Sequence, residues 1–216
     1  MLRTLLMMRD DGAFDAGQDW VHVLGVSTTT WAVLLSAIQR ALRRFNPVLR
    51  VSFDSSSPFQ TGGRYEEIAL TPELTNDPKT WAIKTELAPQ SRLHADPTKL
   101  LSFPYAQSPV GRQLMLHHLS VRDGIWDQRN FDSISNALIT NHNVWVYLDA
   151  MKQANDLAAA RDAGRVPALL LECLAFIEDV LEREDGMSMV DGNSRLLDAV
   201  AASGYKASSP SITEFK

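Results

Sequence analysis

The sequence predicts an α/β chain, and three observations lead there. Residues 20–54 read strand, helix, strand, the order of a parallel βαβ unit. Prolines at 72, 78, 89, 97, 104 and 109 keep residues 66–108 from forming any long element. From residue 110 onward, apolar residues recur at helical spacing.

Taken in order, Met1–Arg9 has apolar residues at 1, 2, 5, 6 and 8 and reads as the last turns of a helix. DDGAFDAGQD is a connector. Val21–Val26 (VHVLGV) is a short β-branched run interrupted by Gly25, the pattern of a buried strand. Hydroxyls at Ser27–Thr30 suit the cap of a helix. Trp31, Leu34, Leu35, Ile38, Leu42 and Phe45 mark that helix, and Asn46-Pro47 stops it. Leu49–Phe53 (LRVSF) is the second strand. Short strands are expected at Glu66–Leu70 and Trp81–Glu86. Helices are expected at Val110–Val121, Phe131–Ala160, Pro167–Glu184 and Ser194–Ser203. The Pro167–Glu184 helix gathers Leu169, Leu170, Cys173, Leu174, Ile177, Val180 and Leu181 on one face. The organisation that follows is a strand–helix–strand unit with an irregular segment at 1–108, a helical region at 109–205 and a flexible tail at 206–216.

With 216 residues, the chain suffices for one good-sized core, or one domain and an appendage. Lysine and arginine number 21 against 26 acids, leaving −5, so there is no global basic footprint for nucleic acid. A local one exists in Gln39–Arg50, where Arg40, Arg43, Arg44 and Arg50 stand with no acid among them. That run reads either as a solvated helix face or as a phosphate-binding stripe. The single cysteine, Cys173, excludes an internal disulfide and a multi-thiolate zinc site, and its helical position turns it inward as an inert thiol. MLRTLLMMRDDG is too short an apolar run for a signal peptide, and no run approaches the roughly 18 apolar residues of a membrane span. A cytoplasmic chain with no membrane partner is the expectation.

In parallel βαβ units, functional groups collect at the carboxyl ends of the strands. Gly25 and Asp54 stand at those two ends. Asp54 opens a polar stretch, DSSSPFQTGG. It reads either as a chemical group or as the start of an Asx-turn or helix cap.

Four segments in order resemble the C-terminal portion of the tRNA-guanine transglycosylases: HVLGV at 22–26, SFDSSSP at 52–58 closing on GRY at 63–65, LHHL at 116–119, and NHNVWVY at 141–147. That family includes queuine and archaeosine tRNA-ribosyltransferases and relatives that insert deazaguanines into DNA. The resemblance covers roughly residues 20–150. It implies the last two parallel strands of a (β/α)8 TIM-like barrel, HVLGV and RVSFD, followed by a helical region. It also implies a glycosyltransferase, specifically a pentosyltransferase, with Asp54 as nucleophile. Asp54 would attack the ribose C1′ of a guanosine in tRNA or DNA, expel guanine and hold the sugar until a 7-deazaguanine replaces it. An ionised carboxylate suits that task, as in retaining glycosidases, and hydroxyls at Ser55, Ser56 and Ser57 suit its orientation. Leu24 and Gly25 match the family positions that close over one face of the base. Arg64 lies near the family's phosphate-gripping loop, shortened here and without the usual arginine before its glycine.

Two departures qualify the resemblance. The family's structural zinc is held by three cysteines ahead of LHHL and by the histidine of the HN pair. Those cysteine positions fall near Phe103, Tyr105 and Ser108, and only His142 remains. No metal and no cofactor is therefore expected; His142 is expected to be a hydrogen-bonded core histidine, and packing of Phe103 and Tyr105 to replace the staple. His117 and His118 read as structural. The second departure is that only two barrel strands are present, so a protein partner supplying the others is expected. Two further readings stand beside the enzyme. One is a non-catalytic interaction subunit derived from this fold, and the other an unrelated small α/β–helical domain.

Overall fold

A computed structural model describes residues 1–15, 17–124 and 130–205, so the expected flexible tail at 206–216 lies outside the described residues. The chain is mixed α/β. Its elements are α1 (Leu2–Asp10), β1 (Trp20–Val23), α2 (Thr29–Leu42), β2 (Arg50–Phe53), α3 (Ser57–Gly63), β3 (Glu67–Leu70), β4 (Lys84–Leu87), α4 (Ser133–Ala159), α5 (Ala168–Val180), α6 (Gly186–Gly192) and α7 (Ser194–Tyr205). Contacts divide it into two compact units. Of the described residues, the first comprises 1–55, 73–82 and 151–205, and the second 56–72 and 83–150.

In the first unit β1 and β2 pair in parallel, with His22 opposite Ser52 and Val23 opposite Phe53. The connecting helix forms where the sequence expects it. Thr28 accepts a hydrogen bond from the Trp31 amide at 3.2 Å, and Asn46 accepts one from the Val48 amide in the turn beyond the helix. The inner face of α2 is buried through Val33, Leu34, Ile38 and Leu42, each contributing about 1.5–3 kcal/mol. It packs on α5 and α7 in one core with Leu170, Cys173, Leu174 and Ile177. Burial pushes the Cys173 thiol up to about 11, so it is an inert core side chain. One face of the two-stranded sheet, Val21, Val23, Val51 and Phe53, rests on this core. The opposite face carries Trp20, His22, Ser52 and Asp54.

The basic run at 39–50 divides in two. Arg40 pairs with Glu178 at 3.3 Å and Arg44 with Glu182, so two of the four arginines join α2 and the turn after it to acids on and just beyond α5. Arg43 instead donates to the Leu49 carbonyl at 2.9 Å, while Gln39 accepts the Val51 amide at 2.7 Å. These two side chains fill hydrogen-bonding positions on the outer edge of β2. Together with Asp19, Trp20, Val48 and Arg50 they line an open groove of about 760 Å³.

In the second unit β3 and β4 are antiparallel, with Ile68 opposite Glu86. Their core is Ile68, Phe103, Leu116, Leu119, Phe131 and Ile139. The helix expected at Val110–Val121 does not form. Its apolar residues Leu114, Leu116, Leu119 and Val121 are buried along an extended path, with antiparallel bridges Ser102–Met115 and Val121–Phe131 around a 3-10 turn at Leu116–His118. Conversely, α3 occupies what reads as loop. Pro58 sits in its first turn, where a missing amide hydrogen costs nothing, and the glycines at its end mask it in the sequence.

Among the described residues no helix is long and apolar enough to cross a membrane.

Candidate active site

The first unit brings Gly25 and Asp54 together. The Asp54 amide donates to Val23 O at 3.4 Å, and its carbonyl accepts the Val26 amide at 2.9 Å. The strand pairing is thus carried past β2 and arches over Leu24-Gly25. Gly25 has φ +74°, a conformation that side-chain-bearing residues rarely adopt, and a Cβ built there meets nothing within 4 Å. Glycine is required here by backbone conformation, not by crowding. The Gly25 amide points at the carboxylate, donating to Asp54 Oδ1 at 3.3 Å. The Asp54 side chain remains 61% exposed. It is held by its backbone and open to solvent, an arrangement suited to a group that must bond an incoming atom.

His22, which the sequence did not single out, completes the geometry. Parallel register sets it against Ser52, and its Nδ1 lies 2.8 Å from Ser52 Oγ. Its Nε2 lies 3.9 Å from Asp54 Oδ1. The Trp20 indole N–H donates to the same Ser52 Oγ at 2.6 Å. A signal for this was present. Alternation puts Trp20, His22 and Leu24 on one side of one strand and Ser52 and Asp54 on the same side of the other. What the sequence lacked was the register.

Leu24 is 75% exposed beside Gly25. Arg64 belongs to the second unit, where its guanidinium lies over the Tyr65 ring at 5.5 Å and its amide closes α3 on Gln60 O. Of the three serines after Asp54, Ser56 accepts a hydrogen bond from the Gln60 side chain.

The second unit brings together the four positions expected to correspond to a zinc site. The His142 ring lies 5.7 Å from Phe103, edge to face, and Phe103 lies 5.5 Å from Tyr105. His142 Nδ1 is 2.7 Å from Ser108 Oγ, which also accepts the Gly111 amide at 2.8 Å. His142 Nε2 is 3.1 Å from the Ala69 carbonyl. A carbonyl only accepts, so Nε2 carries the proton and Nδ1 accepts the Ser108 hydroxyl. His142 is therefore a hydrogen-bonded core residue. A phenyl ring, a phenol and a hydroxyl do not fit zinc, which needs thiolates or imidazoles in this setting. Tyr105 donates to Glu86 at 2.8 Å, and burial followed by that carboxylate pushes its phenol up to about 12. The neighbouring Asn143 exchanges two hydrogen bonds with β3, accepting the Ala69 amide at 2.8 Å and donating to Glu67 O at 2.9 Å.

Burial holds His142 below its ordinary value of 6.5. The unfolded chain takes up a proton that the folded unit refuses. Stability is therefore complete above 6.5 and declines as pH falls below it, until the folded-state value is reached. In urea titrations the unfolding midpoint is expected to be lower at about pH 5 than at about pH 7.5, with His142→Gln reducing that difference. An equal difference in both proteins would assign the acid sensitivity elsewhere.

The fold and site define a mixed α/β protein with an exposed carboxylate clamped at the carboxyl end of a parallel strand pair. Compared with protein-family models, with curated proteins and with solved structures, the chain matches none.

Proposed function

We propose that this chain is the nucleophile-bearing C-terminal part of a guanine transglycosylase-like protein, exchanging guanine for a 7-deazaguanine in tRNA or DNA. The observation that carries the reading is Asp54. It stands at the strand end where the resemblance implies a nucleophile, fixed through its backbone and exposed through its carboxylate. The neighbourhood of His142 supports the same kinship. Phe103, Tyr105 and Ser108 are far from His142 in sequence yet cluster with it, as four positions descended from a metal site must.

In the first step an Asp54 oxygen bonds C1′, the C1′–N9 bond breaks, and guanine leaves with the electron pair and takes up a proton. In the second, the deazaguanine loses a proton, bonds C1′ and releases the carboxylate. The strand pair is two of the strands of a TIM-like barrel in this reading, and a partner polypeptide supplies the others. The exposed outward face of β1 and β2 supports that need, and among the described residues each strand has only the other as sheet neighbour; at the outer edge of β2 the partner would have to displace the Gln39 and Arg43 side chains.

The test is a covalent adduct. The chain, given an extract of its own cells as the source of the partner, is incubated with tRNA or duplex DNA and a 7-deazaguanine, then denatured. An adduct through the sugar C1′, ribosyl with tRNA or 2′-deoxyribosyl with DNA, is expected with one of the two nucleic acids and is lost in Asp54→Asn. If neither gives an adduct or base exchange, the chain is instead a non-catalytic interaction subunit. That second reading is favoured by the apolar groups on the open surface, Trp20 at 57% and Leu24 at 75% exposure.

A further inference from the structure

We propose that His22 is a positioning residue for Asp54, assigning Oδ1 as the held oxygen and Oδ2 as the one that bonds C1′. The inference rests on the base-exchange reading. An indole N–H only donates, so Ser52 Oγ accepts from Trp20 at 2.6 Å and has its own hydroxyl proton to give. His22 Nδ1 lies in range at 2.8 Å. With Nδ1 accepting, the imidazole proton resides on Nε2, the nitrogen that faces Asp54 Oδ1 at 3.9 Å. An ionised carboxylate on that side favours the same tautomer. The Gly25 amide points at the same Oδ1 from the backbone at 3.3 Å. The Gly25 amide thus bonds this oxygen and His22 Nε2 faces it from beyond hydrogen-bond distance, which leaves the other oxygen for the sugar. The His22 contact is longer than a hydrogen bond and must shorten by about 1 Å when a substrate closes the site, as often happens at sites without ligand.

This arrangement acts differently in the two halves of the reaction. A donor on Oδ1 stabilises the free carboxylate more than the neutral ester, in which Oδ1 is the carbonyl oxygen. It therefore restrains attack slightly and assists release, when the C1′–Oδ2 bond breaks and the electron pair returns to the carboxylate. Removing it should lengthen the life of the covalent intermediate. A residue with a merely structural role would instead reduce adduct formation.

The experiment has two readouts on the same proteins. Nitrogen-15 spectra of the isolated chain are expected to show His22 protonated at Nε2 in its neutral form, shifting toward a mixture in Ser52→Ala. In the adduct assay His22→Phe is expected to discharge its adduct to a 7-deazaguanine about tenfold more slowly than the unsubstituted chain, and Ser52→Ala about threefold more slowly. A neutral His22 protonated at Nδ1, or an adduct from His22→Phe that discharges at the unsubstituted rate, would overturn the assignment and leave the base-exchange reading standing. An unsubstituted chain that forms no adduct overturns both.

Discussion

Replacing Phe103, Tyr105 and Ser108 together by cysteine is expected to yield a chain that binds zinc stoichiometrically. Three thiolates would then surround His142, whose Nδ1 would be released from the Ser108 hydroxyl it now accepts. The Phe103 ring lies 5.7 Å from His142 and 5.5 Å from Tyr105, centroid to centroid, and Ser108 Oγ lies 2.7 Å from His142 Nδ1, so the four residues form one cluster. Structural Cys₃His sites contribute about 10 kcal/mol or more of apparent binding free energy near neutral pH, which outweighs the roughly 3–5 kcal/mol lost by removing the buried Phe103 ring. The expected result is zinc at one equivalent per chain by metal analysis, with a chelator lowering the stability of the variant and not of the parent. A triple variant that folds and takes up no zinc would remove the structural support for kinship with the transglycosylases. The double variant retaining Ser108 should bind far more weakly, because it lacks the thiolate beside Nδ1.

Asn143→Ala is expected to cost about 3 kcal/mol, measured as a lower urea midpoint with an unchanged slope. Asn143 is fully buried, and its amide behaves toward β3 as a neighbouring strand would, accepting one backbone N–H and donating to one backbone C=O. Truncation leaves the Ala69 amide and the Glu67 carbonyl without their partners, and each unsatisfied buried group costs about 1–3 kcal/mol. Asn143→Asp sharpens the test. It retains an acceptor for the Ala69 amide but sets a second acceptor against the Glu67 carbonyl, so at neutral pH it should be no more stable than the alanine variant. An Asn143→Ala protein as stable as the parent would mean that these backbone groups reach water or other partners.

How much of this was legible in the sequence varies with the kind of interaction. The βαβ order, the cap at Ser27–Thr30 and the inward turn of Cys173 followed from local periodicity and hydroxyl placement. The 110–121 segment was misread because Leu114, Leu116, Leu119 and Val121 satisfy helical and extended patterns alike. Its bridges to Ser102 and Phe131 are tertiary information. The arginine run looked uniform but divided: Arg40 meets Glu178 of α5, Arg44 meets Glu182 just beyond it, and Arg43 turns to the Leu49 carbonyl, which no local rule reveals. At the candidate site Asp54 and Gly25 were legible as strand ends. His22 was not, because cross-strand register decides its neighbours, and alternation alone only sorts residues by face. Asn143 and Ser108 act through backbone atoms distant in sequence, and their roles become visible only in the folded unit.

The way α2 furnishes the rim of β2 has a consequence for assembly. Because the Gln39 amide already occupies the Val51 N–H and Arg43 the Leu49 carbonyl, an arriving polypeptide strand trades bonds one for one and gains little enthalpy from the backbone itself. Indiscriminate stacking of copies through this rim is thereby disfavoured. A correct associate must derive its binding energy from side chains that fit Trp20, Val48 and Arg50, so recognition at this rim depends on sequence and not on shape alone.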